Sequence, residues 1–150
     1  MDDITIIREK TQFIKIKMAD EMYGIDIKYI DNIVRMQHIT RVPKAPYYIK
    51  GVINLRGEVI PVFSLRLKMG LEEIDENKAF RIIILKVEGD NVGIIVDEVK
   101  EVVNLFNDEI QKPYHEANSG IPNFVTGVGK EGDNLISILD INEVLSEKVF

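Results

Sequence analysis

The sequence predicts an all-β fold, a barrel or a pair of barrels carrying only short helices. Three observations lead there. Turn signals between apolar runs recur as hairpins at MADEMYGI, LRGEVIPV, VEGDNVGI and KEGDNLIS. Residues 80–87 form a near-continuous β-branched run, the composition of a buried strand. No amphipathic helical pattern is long enough to serve as the crossover of a βαβ fold.

In chain order, residues 12–18 alternate, with Ile14, Ile16 and Met18 on one side and Lys15 and Lys17 on the other, the period of a half-buried strand. The polar link Ala19, Asp20, Glu21 leads into a second strand at Met22, Tyr23, Gly24 and Ile25. Ile27, Ile30, Ile33 and Val34 fall at helical spacing, which predicts a short helix over 27–35. Pro43 and Pro46 fix backbone angles and remove amide donors, so VPKAP reads as a connection. Residues 51–65 give two strands joined at Arg56, Gly57 and Glu58, where glycine can supply a positive φ. The acidic stretch LEEIDENK after Gly70 reads as an exposed loop between two halves. EGDNVGIIVDEV near 88 and EGDNLISILDINEV near 131 form a weak internal echo, each a strand, turn and strand. Ile141, Val144 and Leu145 predict a short helix over 141–148 that begins near Asn142.

The bulk numbers narrow the function classes. A chain of 150 residues is near the size of one domain and can bury roughly 70% of its unfolded surface. Hydrophobic residues at 45% and charged residues at 29% are an ordinary globular balance. A net charge of -6 with no long basic run argues against nucleic acid. The absence of cysteine excludes disulfides and thiolate metal sites. Apolar stretches are far below the ~20 residues of a membrane span, and MDDITIIREK is not a secretion signal, so a cytoplasmic protein is expected.

No group of residues in the sequence assembles into a catalytic mechanism. His38 and His115 lack partners at metal-ligand spacing, so neither a metal site nor a cofactor is expected. Gly127, Val128, Gly129 and Lys130 resemble the end of a phosphate loop, but Phe124 and Glu131 stand where glycine and a hydroxyl are needed. A strand and its hairpin bend is the better reading of these glycines. Ser64 and Ser119 lie outside any nucleophile elbow. Asp97, Glu98 and Glu101 form an acidic cluster after a strand, read as solvated loop charges rather than acid/base groups. Arg56, between Leu55 and Gly57, is an arginine at a turn, a residue type suited to forked hydrogen bonds with a partner.

The segments YGIDIKYIDNI and TRVPKAPYYIKGVINLRGEVIPVFSLRLKMG, followed by VGIIVDEVKEVVNL and FVTGVGKEGDNLISILDINEVL, resemble CheW-like chemotaxis coupling proteins over roughly residues 12–145. The resemblance implies two small five-stranded β-barrels around a shared hydrophobic core, within a single domain over 1–150 whose barrel boundary sequence does not mark. It implies a non-catalytic adaptor that binds the regulatory domain of the histidine kinase CheA and the cytoplasmic tips of chemoreceptors. The implied receptor groove takes Ile30 and Ile33 on the expected helix, Gly51, Asn54, Arg56 and Gly57 in the NLRG segment, and Val99 and Val102. Apolar walls would receive a receptor's helical hairpin while Arg56 fixes register, with Gly51 and Gly57 giving close backbone approach and the turn. Kinase-contact residues are not marked.

One departure stands out, since Phe63 and Ser64 occupy the place where many relatives carry an acid before Leu65 and Arg66. Arg66 must then find another partner or lie in solvent. The same domain fused to a receiver, as in CheV-like proteins, or within CheA would need a longer chain than one ending at Phe150. A small-ligand barrel or an enzyme would need an enclosed pocket with convergent polar groups, for which the sequence offers no candidates.

Overall fold

A computed structural model describes residues 8–113 and 124–146; the readings made for the first residues, His115, Ser119 and the last residues of the terminal helix lie outside them. Among the described residues, ten strands form two five-stranded sheets. Sheet A has the order β8-β1-β2-β10-β9, from β1 (Lys10–Met18), β2 (Glu21–Asp26), β8 (Glu98–Phe106), β9 (Val125–Glu131) and β10 (Asn134–Leu139). Sheet B has the order β3-β6-β7-β5-β4, from β3 (Ile30–Arg35), β4 (Ile49–Leu55), β5 (Glu58–Ser64), β6 (Arg81–Val87) and β7 (Asp90–Val96). Single-turn helices α1 (Leu65–Lys68) and α2 (Ile141–Val144) follow β5 and β10.

Alternation along the strands sorts the buried apolar residues, among those described, into three clusters. Phe13, Val103, Leu105, Ile136 and Ile138 fill one face of sheet A, while Ile53, Ile60, Val62, Ile82 and Ile84 fill one face of sheet B. The opposite faces share a third cluster, where Ile16, Met18 and Leu139 from sheet A meet Ile83, Leu85, Ile94 and Val96 from sheet B. The run at 80–87 is therefore apolar throughout because β6 is buried on both faces, Ile82 and Ile84 to one side and Ile83 and Leu85 to the other.

Both sheets follow one plan. The β6–β7 hairpin matches β1–β2, with Gly93 opposite Ile84 as Gly24 is opposite Lys15. Parallel pairing of β5 with β7 matches that of β10 with β2. The helices after β5 and β10 are capped alike, the Ser64 Oγ accepting from the Leu67 amide at 3.2 Å and the Asp140 carboxylate from the Glu143 amide at 3.3 Å.

Several expectations are corrected. Five strands per half is right, but each sheet is an open ladder rather than a closed barrel. Its outermost strand is met by a single bridge from the loop after the opposite edge strand, Thr40 to Val52 in sheet B and Gln111 to Val128 in sheet A. Residues 27–35 are not a helix; Ile27–Tyr29 is one 3-10 turn, with the Asp26 carboxylate accepting from the Lys28 amide at 3.0 Å, and Ile30 opens β3. A register shift between Ile30 and Asn32 lets Ile30 and Ile33 both face β6, at Leu85 and Ile83. Residues three apart thus share a face in a bulged strand, which imitates helical spacing.

The acidic stretch 71–78 is an exposed loop, but it joins β5 and α1 to β6 within sheet B, so it does not separate the halves. The two EGDN turns do close hairpins, as read, yet the strands after them are not equivalent: β7 corresponds to β2, and β10 to β5. The terminal helix is capped by Asp140, two residues before Asn142. Gly127 and Gly129 lie in β9 as expected, their missing side chains leaving room for Ile110 and Leu105.

Candidate functional site

Edge strands β3 and β8 present two matching apolar strips. Ile30 and Ile33 pair with Leu85 and Ile83 of β6; Val99 and Val102 pair with Ile16 and Ile14 of β1. A register shift between the pairs occurs in both strands, so each strip places two residues three apart on one side. Ile30, Ile33 and Val99 are half-buried against the shared cluster, whereas Val102 is 47% exposed. The structure therefore brings these four predicted residues into equivalent positions on two edges of a common apolar interior.

The NLRG residues belong elsewhere, at the tip of the β4–β5 hairpin, and β4 is the edge of sheet B opposite β3. Arg56 and Gly57 take φ of 54° and 83°, both left-handed, as a two-residue turn with the twist of a hairpin requires. Asn54 braces this turn, its side-chain carbonyl accepting from the Gly57 amide at 3.1 Å. Glu88 and Gly89 make the same turn at 53° and 84°, so the positive angle at Arg56 belongs to the turn rather than to arginine. Arg56 is exposed on a rigid tip, and the matching position of the β9–β10 hairpin is Gly132.

Gly51, expected to give close backbone approach, lies inside the fold. It is buried at φ 143°, and a Cβ there would stand 2.1 Å from the Thr40 carbonyl oxygen. The close approach it permits is internal, between β4 and the loop that bridges it.

The acidic cluster divides among separate partners and is not one site. Asp97 accepts from Arg66 Nε at 2.8 Å and Nη2 at 2.7 Å, and both side chains are largely buried. This is the partner that the departure at Ser64 left open, while Ser64 itself became a helix cap. Arg66 also donates to the Glu72 carbonyl at 2.9 Å, and the hydrogen bond to Asp97 holds its guanidinium above the usual range. Glu98 pairs with Lys100, and Glu101 with Lys15, which also reaches Glu131. Hydrogen bonds to both carboxylates raise Lys15, and the bond from Lys15 lowers Glu101. These are structural pairs, and among the described residues no group of three His, Cys, Asp or Glu is placed to hold a metal ion.

Two features escaped the sequence reading. Lys68 is buried on α1, lies 4.1 Å over the Tyr48 ring and donates to the Ser146 carbonyl at 2.6 Å, which ties α1 to the end of α2. No composition signal distinguishes it from a surface lysine. Val59 and Leu135 each stand 63% exposed at matching positions just beyond the two hairpin tips. An apolar residue on the outward phase of a strand was the available signal.

Residues 12–149 match the family model for the CheW-like domain. The chain belongs to the CheW-like family. It is 38% identical to chemotaxis protein CheW of Helicobacter pylori, over 93% of this chain and 84% of that protein. Identity to chemotaxis protein CheW of Treponema pallidum is 31%, over 93% of this chain and 85% of that one. The crystal structure of the scaffolding protein TtCheW from Thermoanaerobacter tengcongensis superposes with a TM-score of 0.80 at 34% identity, covering 88% of this chain and 90% of its own. These likenesses support a chemotaxis adaptor. Among the described residues no helix is long and apolar enough to cross a membrane.

Proposed function

We propose that this chain is a non-catalytic cytoplasmic adaptor that couples chemoreceptor tips to the regulatory domain of the histidine kinase CheA, and that residues 1–150 act as a single domain. The observation that carries this reading is the pair of equivalent strips, Ile30 with Ile33 and Val99 with Val102, flanking one shared apolar cluster. A receptor tip is a helical hairpin with two apolar stripes, and two matching walls suit that shape. Arg56, Gly57 and Asn54 supply a rigid polar tip that orients the receptor by directed hydrogen bonds. Gly51 acts beneath that tip by setting the path of β4.

Kinase binding uses the sheet ends, where Val59 and Leu135 project at equivalent positions and suit a partner built to the same two-sheet plan. The shared cluster supports the single-domain reading, because neither sheet buries that face alone.

The test is kinase autophosphorylation in receptor-containing membranes with no coupler, with this protein, and with Arg56→Ala. Receptor-dependent activity restored by the protein and reduced in the variant, with an unchanged circular dichroism spectrum, supports both function and site. Activity that never responds to the protein refutes the coupling, and a fully active variant refutes the role of Arg56.

A further inference from the structure

Charge is segregated along this chain. Residues 32–57 contain Arg35, Arg41, Lys44, Lys50 and Arg56 with no Asp or Glu, so the rest of the chain carries a net -11 against -6 for the whole. Three of these cations surround a recess of about 340 Å3 in the loop between β3 and β4, lined by Arg41, Val42, Lys44, Tyr47 and Lys50 with Pro43 and Pro46.

The recess has a fixed apolar element. Tyr47 is 66% exposed, yet its ring stands edge-on against Tyr48, with centroids 5.4 Å apart at 83°. Tyr48 is buried and packs in turn on Phe63 at 5.3 Å. Val42 beside it is 43% exposed. Two prolines and the left-handed Lys44, at φ 62°, limit the loop's freedom, so little ordering is needed on binding. One of the lining cations already has a carboxylate partner: Lys50 is hydrogen-bonded to Glu73 of the 71–78 loop, an intramolecular ion pair.

We propose that this recess is a docking site for an extended acidic segment of a partner protein, with carboxylates on Arg41 and Lys44 and an apolar side chain against Val42 and Tyr47. Lys50 then exchanges Glu73 for a carboxylate of the incoming segment. Charge complementarity selects this occupant. A peptide is short enough to respond to the local cations alone, because charges beyond roughly 8 Å are screened at physiological salt. A nucleic acid or an anionic bilayer would also meet the surrounding net negative charge. The site is distinct from the β3 and β8 strips and from the hairpin tips, so it stands or falls independently of the proposed coupling.

The test titrates the full chain, isotope-labelled, with a short peptide of glutamates interrupted by leucine, with its glutamine counterpart, with phosphatidylglycerol vesicles and with a single-stranded oligonucleotide. The expected result is saturable binding of the acidic peptide alone, with amide shifts centred on 41–50. Affinity should fall by roughly tenfold in Arg41→Glu/Lys44→Glu, as expected for the loss of charge-assisted hydrogen bonds. The milder Arg41→Gln/Lys44→Gln pair should fall less, and Glu73→Gln should bind about two- to threefold tighter because Lys50 is released. Dispersed amide spectra establish that each variant is folded. Absence of saturable peptide binding, shifts centred elsewhere, an unaffected charge-reversal variant, or equal binding of vesicles or oligonucleotide through the same residues would each overturn the proposal.

Discussion

Sheets A and B make the same edge bridge with different chemistry. In sheet B, Gly51 lets the backbone of Thr40 approach β4, and in sheet A, Gly127 lets the side chain of Ile110 approach β9. A Cβ at Gly51 would meet a backbone oxygen at 2.1 Å with φ at 143°, whereas at Gly127 it would meet Ile110 Cγ2 at 2.6 Å with an ordinary φ. Inside the sheets the contrast recurs: β6 buries Ile84 where β1 carries Lys15, tied to Glu101 and Glu131. After the sheets, α1 carries Arg66 and Lys68 where α2 carries Asn142 and Val144. One topology therefore tolerates either apolar or ionic filling at a given place, and the two halves should respond differently to the same mutation.

The largest expected difference is at the glycines beside these bridges. Gly51→Ala combines backbone strain with a clash that cannot relax and should destabilise by about 4 kcal/mol, while Gly127→Ala, against a movable side chain, should cost about 1 kcal/mol. Equilibrium denaturation of the two variants checks this, and equal losses would show that the two bridges are equivalent after all.

Next in size is the ion pair. Arg66→Ala leaves Asp97 largely buried without its partner and should cost about 3 kcal/mol, against less than about 0.5 kcal/mol for Asn142→Ala at the matching exposed position. Replacing Arg66 and Asp97 together by Met and Leu should restore most of the loss, a comparison that thermal melting can make.

Hairpins were legible because their signal is local: Arg56-Gly57 and Glu88-Gly89 announce left-handed turns in the residues themselves. The helical spacing over 27–35 misleads because a bulge at 30–32 gives a strand the three-residue spacing of a helix, and a similar bulge at 99–102 places Val99 and Val102 on one side of β8. The Arg66–Asp97 pair was out of reach, as only the parallel pairing of β5 with β7 brings residues 31 apart in sequence together. The apolar groove residues came from resemblance, and their equivalence became visible only once the strand order was known. At Gly51 the sequence does not reveal that the Thr40 backbone lies against it.

A smaller difference concerns caps. Ser64→Ala and Asp140→Ala should each cost about 1 kcal/mol, measurable by chemical denaturation, because the two oxygens satisfy the same amide in the same kind of helix. Clearly unequal costs would argue that the two helices are not equivalent.

The smallest effect should be the pH dependence of sheet A. Glu101 is lowered by Lys15, so its contribution is present above its unfolded value and lost as pH falls through the lowered one. Lys15 is raised, so its contribution is present below its unfolded value of 10.5 and lost only as pH rises beyond it. The stability difference between the natural chain and Lys15→Met should be flat near neutrality and shrink at both extremes. Denaturation midpoints across pH would show it, and a difference that does not change with pH would remove the ionic account.

The most direct test of the central claim is a methyl-resolved titration of the protein with a receptor-tip fragment. Two equivalent walls receiving one helical hairpin predict simultaneous perturbation of Ile30, Ile33, Val99 and Val102, saturating together. Perturbation of only one strand, or of the β9–β10 end with both strips silent, would contradict the groove.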